Sequence, residues 1–191
     1  MRKAFLFAAT VLAIGLTACQ PFHSSPTASP TPVPSPSPEV MLYGSPLSQV
    51  LEGAQINVPD TEVITTLSKS VIEFDQGDER GTVMLGDQFA SKEVKGGTDI
   101  IGYVNVNHGG SGTQQYLILY DTTAKTREHT SSVFIGDRVK VTSITTTTSS
   151  DPDEYQVMVK FLDRRPGQAM ADTPTVLNSV TYRVLNHKFS K

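Results

Sequence analysis

The chain has 191 residues, with 16 Lys and Arg against 19 Asp and Glu and a formal net charge of −3 at pH 7. No basic excess is present to hold nucleic acid or to add adhesion to anionic lipid. A single cysteine excludes an internal disulfide and any thiolate metal cluster, and the absence of tryptophan weighs against a carbohydrate-stacking platform.

The chain opens on a leader. Met1, Arg2 and Lys3 precede an apolar run over residues 4–16, which ends in Leu16, Thr17, Ala18 and Cys19. A short basic start, an apolar stretch and a small-residue cleavage site predict a secretory signal over residues 1–18. The stretch is too short to cross about 30 Å of hydrocarbon at 1.5 Å per helical residue. Leu-Thr-Ala-Cys resembles the lipobox of bacterial lipoproteins. The resemblance implies a diacylglyceryl thioether on Cys19 and a further acyl chain, such as palmitate, on the new N-terminus. Acyl chains contribute about 0.8 kcal/mol per buried CH₂, so the bilayer is the first expected partner. Gln20 differs from the Asp that marks inner-membrane retention in diderm bacteria. The implied place is the outer membrane of a diderm cell, or the outer face of the cell membrane otherwise. Loss of Arg2 and Lys3 with the leader leaves 14 of the 16 basic residues against 19 acidic ones, a mature charge of about −5.

Residues 19–39 read as the lipidated cysteine and a tether. Seven of the twelve prolines fall in residues 21–39, among Ser and Thr. Such a composition buries no apolar surface and predicts a disordered, extended spacer of about 3.1 Å per residue. Its Ser/Thr-Pro repeats also suit O-glycans or a groove that binds polyproline. His23 is solvated in this reading.

Residues 40–191 suit one domain. Residues 46–54 carry helical spacing at Leu47, Val50, Leu51 and Ala54, with Ser45 as a cap. Strands are predicted at residues 70–74 and 82–85, joined by a turn at Asp75, Gln76, Gly77 and Asp78. Further strands are predicted at 100–106, 114–120, 138–144, 155–162 and 179–185, with 187–189 closing a hairpin at Asn186. About eight strands and at most one short helix predict a single antiparallel β-sandwich or open barrel.

Three motifs fall in predicted connections. They are His108-Gly109-Gly110-Ser111-Gly112-Thr113, Phe134-Ile135-Gly136-Asp137-Arg138, and residues 163–174, which begin Asp163-Arg164-Arg165-Pro166-Gly167. Their order across residues 84–189 resembles an uncharacterised β domain of bacterial envelope lipoproteins and is distantly similar to the mycobacterial LppP/LprE-type lipoproteins. That family implies location and fold but no enzymatic activity. Its relatives often carry an Asp-rich loop before the Gly-Gly-Ser-Gly strand. The counterpart here, Gly86-Asp87-Gln88-Phe89-Ala90-Ser91, lacks the repeated carboxylates.

The chemistry open to these residues is narrow. Gly109, Gly110, Ser111 and Gly112 form a candidate anion loop, since glycine-rich turns can offer backbone N–H groups. The bland alternative is a turn that needs positive φ. Ser111 with His108 or His129 makes a triad only on paper, because no nucleophile elbow surrounds the serine. Four histidines without an i, i+4 pair predict no metal set, and no cofactor is expected. Asp151, Asp153 and Glu154 lack EF-hand spacing and read as a solvated turn. Asp137, Arg138, Asp163, Arg164 and Arg165 place carboxylates beside guanidiniums at strand ends. They predict either a structural clamp between loops or a small anionic or peptide-ligand site.

Two functions follow. The first is a non-enzymatic binding or scaffolding module whose partner is an unknown envelope protein or glycan. The second is a hydrolase or other enzyme acting on envelope polymers. A concave pocket holding a buried histidine or carboxylate of strongly shifted pKa would favour the second.

Overall fold

The structure is a computed structural model that describes residues 46–123, 126–147, 151 and 153–190. The leader, Cys19 and the tether lie outside the described residues. All of the described residues belong to one compact unit. No helix among them is long and apolar enough to cross a membrane.

Helix α1 (Pro46–Val50) is a single turn, shorter than the helical spacing over 46–54 predicts. Leu51 N–H bonds back to the Leu47 carbonyl, and Gly53 then takes φ 76°, where a side chain would be strained. Strands β1 (Gln55–Asn57) and β2 (Ile64–Thr66) form a small antiparallel pair. A six-stranded sheet follows, made of β3 (Val71–Gln76), β4 (Glu79–Leu85), β5 (Ala90–Val94), β6 (Gly97–Asn107), β7 (Gln114–Asp121) and β8 (Glu128–Asp137). Its order is β3-β4-β6-β7-β8, with β5 also paired to β6. A second sheet, in the order β12-β11-β10-β9, holds β9 (Lys140–Thr146), β10 (Glu154–Asp163), β11 (Val176–Leu185) and β12 (Lys188–Ser190).

The architecture is the expected antiparallel sandwich, with neither sheet closed into a barrel. The described residues contain twelve strands where about eight were expected. Strand β8 in particular contains Phe134–Asp137, which had read as a connection. Its run of Thr130, Ser131 and Ser132 is too polar to register as a strand by itself. It pairs on one side with the apolar β7, whose ladder recruits it.

Strands β6 and β7 are the reason for the layering. Residues 100–104 and 115–120 are buried on both sheet faces. One face meets α1 and the β1–β2 segment: Ile100, Val104, Ile118 and Tyr120 pack with Leu47, Leu51, Ile56 and Leu67. The other face meets the four-stranded sheet: Ile101, Leu117 and Leu119 pack with Tyr155, Val157, Val159 and Val184. Each fully buried Leu, Ile or Val contributes about 1.5–3 kcal/mol. The domain is therefore three layers deep, and the side-chain alternation of β6 and β7 sends each residue into one of two cores.

Candidate functional site

The motifs chosen from sequence meet at one end of the β6–β7 pair. Asn107 closes the glycine loop: its amide donates to the carbonyls of Gly110 (3.0 Å) and Gly112 (2.8 Å), and its oxygen accepts from Gly109 N–H. Gly109 has φ 78°, the positive angle such a turn needs. Asp137 accepts from Thr113 N–H at 3.2 Å. Arg138 also has positive φ, at 51°, and its N–H bonds to the Thr113 carbonyl at 2.7 Å. Its guanidinium reaches the carbonyl and hydroxyl of Ser111. Arg164 in turn donates to the Arg138 carbonyl at 2.8 Å.

The cluster thus joins three loops, though differently from a carboxylate–guanidinium clamp. Both guanidiniums hold main-chain oxygens. The only ion pair within the cluster among the described residues joins the chain neighbours Asp137 and Arg138, at 3.9 Å. Asp163 turns back to its own neighbour, accepting from Arg164 N–H. The Arg165 side chain is exposed, while its backbone folds around Gln168. Among the described residues the glycine loop is held mostly through its carbonyls, and Gly109 N–H is committed to Asn107. The chain inward continues through Gln115, which accepts from Val139 N–H and donates to Asn105.

The triad on paper is not assembled. Ser111 bonds to Arg138, while His108 packs edge-on against Phe74. His129 lies at the far end of the β7–β8 ladder, opposite Tyr120. The acidic turn is internally tied: Asp151 accepts from Asp153 N–H, Asp153 accepts from Lys95 N–H, and Glu154 pairs with Arg183 at 2.9 Å.

A cleft of about 820 Å³ opens between β1 and the start of β8, lined by residues that include Glu52, Gln55, Asn57, Arg127, Glu128 and His129. The two strands approach without pairing, because Asn57 N–H donates to His129 Nδ1 at 3.2 Å instead of to a strand carbonyl. Burial pushes the His129 imidazole down to about 4, with a backbone contact to Ser131 acting the other way. This is a half-buried, shifted histidine in a concavity, close to the feature that would favour an enzyme. The Nδ1 lone pair is already engaged, and Nε2 is buried with no hydrogen-bond partner among the described residues. A base must offer a free lone pair to a substrate proton. Glu52 and Glu128 stand exposed and lack the apolar surroundings that make a general acid.

At the opposite end of β6–β7 lies a group that sequence reading missed. Asp99 and Asp121 are direct cross-strand partners, and His187 of the β11–β12 turn sits over them. Its Nδ1 is 2.7 Å from Asp99 Oδ1 and 3.8 Å from Asp121 Oδ1. Tyr155 donates to the other Asp99 oxygen at 2.7 Å. Burial lowers the His187 pKa, but the Asp99 hydrogen bond and the charges of Asp99, Asp121 and Asp153 outweigh it and hold the imidazole above its usual value. Two charged residues directly bounding apolar strands were the available signal; only strand register shows that they meet.

No protein-family model, no curated protein and no solved structure matches the chain.

Proposed function

We propose that the chain is a bacterial envelope lipoprotein, held to the bilayer by acylated Cys19, whose β domain is a non-enzymatic binding or scaffolding module. Its partner is another envelope component, protein or glycan. The basis for the anchor is the position of Leu16-Thr17-Ala18-Cys19 behind a short basic start and an apolar run. The observation that carries the binding reading is the cleft beside β1 and β8. It is walled by polar side chains and main chain, and its one imidazole is neutral and bonded to the Asn57 backbone. Such a site offers directional hydrogen-bonding contacts to a partner.

Two measurements test this. A clickable fatty acid should label the wild-type chain and not Cys19→Ser; label persisting on the variant removes the anchor. Purified chain incubated with isolated envelopes should release no soluble fragments. Release that disappears in His129→Gln would establish the hydrolase reading in its place.

A further inference from the structure

We propose that Asp99, Asp121 and His187 form a divalent transition-metal site, with Zn²⁺ as the best-suited ion. It is separate from the cleft and goes beyond the binding role assigned to it. The donor set mixes one imidazole nitrogen with two carboxylates, all within 4.8 Å of one another. A tetrahedral ion with bonds of about 2.0–2.1 Å holds its donors about 3.4 Å apart. The observed separations of 2.7 and 3.8 Å from His187 Nδ1 straddle that value, and the two carboxylate oxygens lie within 4.8 Å of each other.

Charge is the first argument. Asp99 is wholly buried and Asp121 only 16% exposed, and the two face each other across adjacent strands. Like charges directly opposite destabilise a sheet. Among the described residues no Lys or Arg forms an ion pair with either. Two carboxylates brought together largely out of water are costly, and a divalent cation between them offsets that cost.

Outer contacts are the second. Metal-bound carboxylates are themselves held by hydrogen bonds. Tyr155 holds Asp99 from the sheet opposite, while Thr123 N–H and Oγ1 hold the two oxygens of Asp121 at 2.7 and 2.9 Å.

The placement of His187 is the third. Leu185 pairs with Lys188, so Asn186 and His187 form a two-residue turn, with φ 48° and 58°. Such a turn prefers Asn followed by Gly. Histidine at the second position takes a left-handed backbone that glycine would adopt without strain. The turn sets the imidazole directly over the two carboxylates. Imidazole selects zinc over calcium and magnesium, and three protein ligands leave a coordination position for water or a further donor. His187 is 24% exposed, which gives an ion a way in.

The test uses the full chain in detergent, without a histidine tag, stripped with EDTA and titrated with Zn²⁺, Mn²⁺ or Ca²⁺ alone. Calorimetry should show one Zn²⁺ per chain, and the melting temperature should rise with it. Asp121→Asn and His187→Gln should each weaken that binding at least tenfold. Tyr155→Phe should weaken it several-fold. Asp121→Asn leaves the Asp99–His187 contact in place, so its result stands even if His187→Gln unfolds the hairpin. Absence of stoichiometric Zn²⁺ binding overturns the proposal. So does Zn²⁺ binding unchanged in Asp121→Asn, or Ca²⁺ binding alone that is indifferent to His187→Gln.

Discussion

Asp137 shows how much one side chain can do at a strand end. Its carboxylate accepts from Thr113 N–H and lies 3.9 Å from the Arg138 guanidinium, at the point where the glycine loop meets β8. Asp137→Ala removes the acceptor of a half-buried N–H, which costs about 1–3 kcal/mol. Arg165→Ala, at an exposed side chain, should stay within about 0.5 kcal/mol. Urea midpoints of the two variants compare them directly, and an unchanged midpoint for Asp137→Ala would mark that carboxylate as held for a ligand. His129 gives a pH dependence. Its folded pKa of about 4 lies below the ordinary 6.5, so the unfolded chain binds the proton first as pH falls. Its contribution is therefore full above about pH 6.5 and is lost progressively towards about pH 4, by up to ~3 kcal/mol. The difference in unfolding free energy between wild type and His129→Gln, followed from pH 7 to 4, should shrink over that window. A constant difference would mean that the imidazole ionises normally in the folded protein.

Among the elements, β6 and β7 carry both cores, and the close approach of β4 to β6 is built on a missing side chain. A Cβ on Gly81 would lie 1.9 Å from the Asn107 carbonyl oxygen and 3.0 Å from the Phe74 ring. The obstacle is main chain, so it cannot rotate away. Gly81→Ala should shift β4 against β6 and cost more than about 2 kcal/mol, in the range of overpacked interiors. Gly102→Ala meets only the flexible end of Leu47, and should cost less. Thermal melts of the pair rank the two, and equal melting temperatures would show that β4 can yield. The apolar runs at residues 100–106 and 114–120 were legible because double burial makes nearly every position apolar. Strand β8 was not legible: its first half, Glu128 to Ser132, is polar, and its pairing with β7 is a long-range fact. The same limit shortened the expected helix, whose apolar spacing continues past Val50 while the backbone turns at Gly53.

Taken as a whole molecule, the domain has two cores on one central sheet, and the Pro-, Ser- and Thr-rich composition of residues 21–39 offers little apolar surface to add to either. Fragments beginning at residue 21 and at residue 40 should therefore melt within about 2 °C of each other, a difference below ~1 kcal/mol. A larger drop for the shorter fragment would show that residues 21–39 pack on the domain. The β class, the antiparallel pairing and the turn at Asn186 could be read from sequence, because period-2 patterning and turn chemistry act between near neighbours. The expectation of a leader and an anchor at Cys19 also rests on local pattern alone. Local pattern further singled out the loops around Gly109, Asp137 and Arg164, which the fold then gathered at one end. Which groups meet was decided only by tertiary structure. Arg138 and Arg164 grip main-chain carbonyls that no motif announces. Asp99, Asp121, Tyr155 and His187 lie on four different strands or turns and converge only once β6 pairs with β7 in one register and the second sheet packs over them. Contacts between residues distant in the chain depend on register and layer packing, and those depend on the whole set of buried side chains at once.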